Sequence, residues 1–373
     1  MSVYIAFILI KQISKPLIDL TSYSKLLANH DFEKPLGFQD KLASTIKNQN
    51  DEIGTLAGAF IKLELTLIDY IKNLKETTKI NQKIQSELNI AHAIQMSMLP
   101  TASLPELKNN DYAFASFIKP AKEVGGDFYD YYFDKENEKF HFILGDVAGK
   151  GVPAALFMAI TLTLIRTANK TESSPSKILN FANKLVCENN ESTLFVTAYY
   201  GVLDIKTNKL TYVLAGHNPP YHITKNDVIP LALTDGMVLG IDETFKYSEK
   251  TIQLLDDSQV FIFTDGVTEA HNKNRKLYGE EKLESNLKKL ASKLPKTLID
   301  TIYNSVEKFA EGRSQFDDIT MISLKKIDPL NKFRTIKFDL TNDKKEITKL
   351  QQKSELFFEK NRISNRQSMK YII

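Results

Sequence analysis

The sequence predicts an α+β protein in which a helical N-terminal part leads into a domain of short strands and amphipathic helices. Three observations carry this reading. Apolar residues recur at three- and four-residue spacing from Ile13 to Ala28 and again from Ile53 to Met98. After Pro100 the texture changes to short apolar runs punctuated by glycines and turn residues. The length of 373 residues exceeds one compact core and suits two or three domains.

Composition narrows the class further. Apolar residues make up 42% and charged residues 25%, near the globular average, which excludes a disordered chain or a rod throughout. The single cysteine, Cys187, excludes an intramolecular disulfide or a thiolate zinc site and fits cytosolic exposure. The formal charge is +3, but from Ile327 onward eleven Lys and Arg face six Asp and Glu, so the first 326 residues are net −2. That body offers no concentrated basic surface, and nucleic acid is not expected as a partner.

The elements follow in order. Met1–Ile10 is an apolar run ending at Lys11, shorter than the ~20 residues of a membrane span and without a signal-peptide pattern. It reads as the cytosolic end of a transmembrane helix, with Lys11 and Lys15 as inside-positive flanks, or as a packed N-terminal helix. Ile13–Ala28 is helical, with Pro16 near its start; a connector with Gly37 follows, and a second helix begins near Asp51 and Glu52. From Leu63, steps of four and three through Leu67, Tyr70, Leu74 and on to Met98 place apolar or aromatic residues at eight of eleven heptad positions. This spacing predicts a dimeric coiled-coil stalk, or a single amphipathic helix over its last turns.

Strands are expected at Phe140–Leu144, Leu194–Val202, Leu210–Leu214, Val260–Phe263 and Ile319–Leu324. Helices are expected at Pro153–Ala168, Pro175–Glu188, Gly279–Leu290 and Pro295–Phe309. Gly216–Pro220 reads as a hairpin-like connection, which favours antiparallel sheets. The tail restarts with a strand-like Arg334–Leu340 and a helix that Asp343 could cap.

The residues that point to chemistry are aspartates at strand boundaries. Phe142–Asp146 and Phe261–Gly266 are apolar strands ending in Asp; Asp317 and Asp318 precede Ile319–Leu324, and Gly125-Gly126-Asp127 sits among Phe128, Tyr129 and Tyr132. Carboxylates gathered at a sheet edge repel unless protons or cations intervene, and an oxygen-only donor set suits Mg²⁺ and Mn²⁺. Each Asp-Gly taken alone is an ordinary turn. Gly145–Gly151 lacks both the spacing and the hydroxyl residue of a phosphate-binding loop. His217 reads as a structural hydrogen-bonding residue or a proton donor; Lys119 and Lys122 as solvated lysines or phosphate-steering ones.

The strings GGDFYD (Gly125–Asp130), GDVAGKGVPAA (Gly145–Ala155), AGHNPP (Ala215–Pro220), TDGVTEA (Thr264–Ala270) and FDDIT (Phe316–Thr320) resemble, in order and spacing, the PPM-type serine/threonine phosphatases of the SpoIIE and RsbU branch. The resemblance implies an αββα sandwich with two Mn²⁺ or Mg²⁺ ions. It makes Asp127 and Asp146 catalytic metal ligands, with Asp127 bridging, and adds the Val147 carbonyl, Asp265, and Asp317 or its neighbour Asp318. Water held between two such ions is deprotonated near neutral pH and can attack phosphorus in line. The implied substrate is a phosphoserine or phosphothreonine regulator, an STAS-type anti-sigma-factor antagonist.

Lys15-Pro16-Leu17 and Asp51–Gly54 resemble a HAMP relay module, and Arg334–Asn361 resembles the opening of an anti-sigma kinase-like (GHKL ATPase) domain without its ATP-binding segments. The organisation expected is therefore a transmembrane end at 1–10, HAMP at 11–65, a coiled-coil linker at 66–104, the phosphatase domain at 105–326 and a kinase-like start at 327–373. The chain would act as a homodimer on the cytoplasmic face of the inner membrane. The competing readings are a catalytically inactive dimeric scaffold and, from the Gly-Gly-Asp string, a nucleotide cyclase.

Overall fold

The structure, a computed structural model, describes residues 7, 10–34, 51–100, 111–188 and 190–327. The chain divides into two compact units, Met1–Met98 and Leu99–Ile373. The connector around Gly37 and the tail from Arg334 to Asn361 lie outside the described residues, as does most of the run Met1–Ile10.

In the first unit a π-turn, Ile10–Ser14, leads into helix α1 (Lys15–Ala28). Pro16 falls in the first turn, where its missing N–H leaves no hydrogen bond unmade. Helix α2 runs unbroken from Glu52 to Met98. Asp51 caps it, its Oδ1 accepting from the N–H groups of Ile53 at 3.1 Å and Gly54 at 3.0 Å. Leu20, Tyr23, Leu27 and Ala57 form the contact between the helices. Inside that apolar contact the Tyr23 hydroxyl donates to the buried Glu64 carboxylate at 2.5 Å. Leu63, Tyr70, Leu74 and Ile84 of the heptad stripe lie on the exposed side of α2. No helix among the described residues is long and apolar enough to cross a membrane.

The second unit contains two five-stranded sheets. One has the order β1 (Tyr112–Lys119), β10 (Ile319–Lys326), β9 (Gln259–Phe263), β6 (Tyr221–Ile223), β7 (Val228–Pro230). The other has the order β2 (Phe128–Asp134), β3 (Lys139–Val147), β4 (Val196–Asp204), β5 (Lys209–Ala215), β8 (Lys250–Gln253). All ladders between these strands are antiparallel. Phe142, Leu144, Tyr199 and Tyr212 of one sheet meet Ile262, Ile322 and Leu324 of the other, forming the core between them. Helices α3 (Val152–Ala168) and α4 (Pro175–Glu188) cover the outer face of the second sheet. Helices α5 (Glu280–Leu290) and α6 (Pro295–Ala310) cover the first through Leu283, Leu298 and Ile302 against Phe261, Phe263 and Met321. Four layers result, each sheet burying one face on its partner and the other under helices.

The expected strands and helices between Phe140 and Leu324 all form, with ends shifted by up to three residues. Strands β1, β2, β6, β7 and β8 were not anticipated, the last three being only three or four residues long. One expectation is corrected: Gly216–Pro220 is no hairpin but carries the chain from β5 in one sheet to β6 in the other. Gly216 makes that turn at φ +66°, and His217 holds the crossing, with ring nitrogens 3.0 Å from Thr197 Oγ1 and 3.1 Å from the Phe263 carbonyl.

Candidate active site

Antiparallel pairing gathers the acids. In one sheet Phe128 pairs with Gly145, which sets Asp127, just before β2, beside Asp146 at the end of β3. In the other, Met321 pairs with Phe263, which sets Asp265, just after β9, beside Asp317 and Asp318, just before β10. The Phe128 ring packs over the bare Cα of Gly145, where a Cβ would fall 2.5 Å from the ring.

Asp318 joins the two sheets. Its Oδ1 accepts from Ala121 N at 2.7 Å, and its Oδ2 from Gly126 N at 2.8 Å and Asp127 N at 3.3 Å. The Gly-Gly pair is required by this packing. A Cβ on Gly125 would overlap the Asp318 carboxylate, and one on Gly126 would lie 2.8 Å from the Val147 carbonyl oxygen. Gly266 has the same role on the other side, where a Cβ would overlap the Asp318 carbonyl.

Asp127 is buried, and its Oδ2 accepts from Thr264 Oγ1 at 2.8 Å and Thr320 Oγ1 at 2.6 Å. Burial first, and then the neighbouring charges of Asp146 and Asp318, hold its pKa well above the ordinary carboxylate value. Asp146 is raised to about 7 by burial and the Asp265 charge, against a hydrogen bond with Asp127 that acts in the opposite direction. Burial, with Glu269 and Asp317 nearby, raises Asp265 to about 6. Asp317 Oδ1 accepts from Asp318 N at 3.0 Å, while Oδ2 pairs with Lys150 Nζ at 2.8 Å. Lys150 also donates to the Phe316 carbonyl at 2.8 Å.

The predicted acids Asp127, Asp146, Asp265, Asp317 and Asp318 therefore meet at one end of the two sheets, with the Val147 carbonyl beside Gly126. Among the described residues no three acidic, His or Cys side chains close around one point as a finished cage. The donor set nevertheless fits a hard divalent cation: it is all oxygen, and burial and mutual repulsion hold the pKa values of Asp127 and Asp146 above the ordinary carboxylate range, a cost that a bound cation would relieve. Three residues carry roles the sequence reading left unassigned. Thr264 and Thr320 lie inside quoted motifs, yet only the fold turns both hydroxyls onto one oxygen of Asp127. Lys150 stands in a rejected phosphate-loop pattern and proves to be the partner of Asp317.

Two further expectations are resolved by geometry. His217 is buried and bonded through both nitrogens, and burial lowers its pKa to about 4, so it is a neutral structural group. Lys119 is occupied by the Tyr303 hydroxyl and by Glu307 at 2.9 Å.

Two antiparallel sheets between helical layers, with carboxylates converging at one end, define a mixed α/β phosphatase fold of the PP2C type. Comparison with known proteins gives the particular family. The family model for stage II sporulation protein E (SpoIIE) matches residues 136–326, and the chain belongs to that family. It is 30% identical to the phosphoserine phosphatase RsbU of Bacillus subtilis over 248 residues, 66% of this chain and 72% of that protein. It is 27% identical to protein IcfG of Synechocystis over 354 residues, 86% of this chain but only 52% of IcfG, so the chain spans about half the length of that relative. The SiaA-PP2C domain of Pseudomonas aeruginosa shares the fold with a TM-score of 0.60 and 21% identity, over 67% of this chain and 99% of that domain.

Proposed function

We propose that this chain is a metal-dependent protein serine/threonine phosphatase of bacterial signal transduction, acting on a phosphoserine or phosphothreonine regulator. One observation carries the reading: Asp127, Asp146, Asp265 and Asp317 come from strand ends of both sheets to one place. Asp127, Asp146, the Val147 carbonyl, Asp265 and Asp317 would hold two Mn²⁺ or Mg²⁺ ions. Those ions supply acidification of water and neutralisation of phosphoryl oxygens. Thr264 and Thr320 hold one oxygen of Asp127 and so fix the orientation of its carboxylate. Asp318, with three backbone N–H groups on its carboxylate, is a positioning residue, and Asp317 is the ligand of the pair.

The substrate class we assign is a phosphorylated STAS-type anti-sigma-factor antagonist, in keeping with the likeness to RsbU. We further propose that the first unit is a HAMP relay, that α2 dimerises through its exposed Leu63, Tyr70 and Leu74 face, and that the native protein sits at the inner membrane. A catalytically inactive scaffold would have no need of this acid convergence, and a cyclase finds no support in the fold.

The test is Asp127→Ala assayed for Mn²⁺-dependent phosphate release from a phosphoserine protein. Loss of release with an unchanged circular dichroism spectrum is expected. Full activity in the variant would overturn the metal assignment.

A further inference from the structure

Beside the acids lies a cleft of different character. A cavity of about 440 Å³ is lined by Lys122, Lys150, His271, Arg313 and Phe316 together with Ser314 and Gln315, and no carboxylate lines it. A smaller cavity shares His271, Arg313 and Phe316 and is lined as well by Glu269, Glu307, Gly266 and Asp317, so the cationic cleft adjoins the acid cluster at Asp317.

The walls are fixed from within. Gln315 Nε2 donates to the carbonyls of Lys119 and Asp317, both at 2.7 Å, which ties the strip 313–317 to the end of β1. Lys150 Nζ lies 4.1 Å above the centre of the Phe316 ring, and that ring meets His271 edge-on at 5.5 Å. By contrast, Lys122 and Arg313 are exposed, and their side chains make no ion pair among the described residues. Two unpaired cations at the mouth and an exposed aromatic ring on the wall match an anionic extended peptide. Arg holds carboxylate and phosphate oxygens in bidentate fashion, and the ring offers apolar surface to the peptide chain. Opposite charges held at the mouth of a cleft also raise the local concentration of an anionic ligand.

We infer that the cleft bounded by Lys122, Lys150, Arg313 and Phe316 is the substrate-docking site, and that it takes an acidic phosphopeptide segment whose anionic oxygens are held by Lys122 and Arg313. This rests on the phosphatase reading and adds to it the charge of the sequence around the phosphorylated residue. The anion seated there is either the phosphoryl group or carboxylates flanking it, and the two share one chemistry.

The experiment measures fluorescence anisotropy of a fluorescein-labelled phosphoserine peptide with glutamates after the phosphoserine, added to the full chain in a chelator. Without divalent ions the signal reports the cationic cleft alone. Binding that weakens with salt is expected, and Lys122→Glu with Arg313→Glu should weaken it at least tenfold. Should the double charge reversal perturb the melting curve, Lys122→Gln with Arg313→Gln replaces it, with a loss of several-fold expected. An unphosphorylated glutamate peptide and an alanine-flanked phosphopeptide divide the sources. Loss of binding with the first assigns the cleft to the phosphoryl group, and loss with the second assigns it to the flanking carboxylates. Wild-type protein that fails to bind, or variants that bind within twofold of it, would overturn the proposal. Mn²⁺-dependent phosphate release is followed in the same preparation: its absence sinks the phosphatase reading and leaves the binding result to stand alone.

Discussion

The carboxylate of Asp318 accepts the backbone N–H of Gly126 at 2.8 Å, joining two motifs that lie 192 residues apart in the chain. Through this bond the start of β10 in one sheet holds the turn that presents Asp127 at the start of β2 in the other. A charged acceptor taking several backbone donors away from bulk water is among the stronger hydrogen-bond arrangements in proteins.

Asp318 and Asp317 are adjacent, and their substitutions separate. Asp318→Ala strands three backbone N–H groups and is expected to cost about 2–4 kcal/mol of stability. Asp317→Ala loses a partly exposed pair with Lys150 and one hydrogen bond from Asp318 N, together worth about 1–2 kcal/mol, but lowers Mn²⁺ affinity. Denaturant unfolding in chelator and calorimetric Mn²⁺ titration read the two effects. Equal destabilisation by both variants would contradict the division of roles.

Gly266→Ala tests the approach of the turn after β9 to the backbone of Asp318. The added methyl meets the backbone carbonyl of Asp318, just before β10, which cannot rotate away as a side chain would. A loss of about 2–3 kcal/mol is expected, with weaker metal binding because Asp265 moves with the turn. A variant as stable as the parent would mean that this contact is slack.

The acids also set a pH dependence. Asp146 is raised from 3.8 to about 7, and Asp265 from 3.8 to about 6, in both cases chiefly by burial. A folded state that favours the neutral acid draws stability from it in full below about pH 4, and that stability is lost as pH rises through the folded values. The metal-free chain should therefore lose stability between about pH 4 and 7, on the order of a few kcal/mol. Mn²⁺ should raise the melting temperature more at pH 8 than at pH 5, because the ion displaces protons. Melting curves in chelator across this window provide the measurement, and a midpoint that climbs with pH would refute it.

The exposed heptad face of α2 makes a prediction of its own. Sedimentation of the full chain at micromolar concentration should give a dimer, and Tyr70→Lys with Leu74→Lys should shift it to monomer. A wild-type monomer would remove the stalk from the proposal.

Most of the second unit was legible because its elements declare themselves locally. Phe140–Leu144 and Val260–Phe263 are apolar runs closed by Asp and Gly, and Pro175 and Pro295 sit at first turns where proline costs nothing. The short strands β6, β7 and β8 were not legible, since three or four residues are too few to display a period. Gly216–Pro220 misled for a related reason: glycine and proline mark a change of direction without saying whether the chain returns to the same sheet.

The oxygen donors at strand ends, the helical front part and the near-balanced charge of the body are all visible in the residue order. How those donors are used follows from the stacking of the two sheets. It turned Thr264 and Thr320 onto Asp127, spent Asp318 on backbone N–H groups, paired Asp317 with Lys150 and confined His217 to a structural bond. The reason is physical: a carboxylate's role depends on which donors and charges surround it, and here those partners arrive from strands far apart in sequence that meet only when two sheets stack.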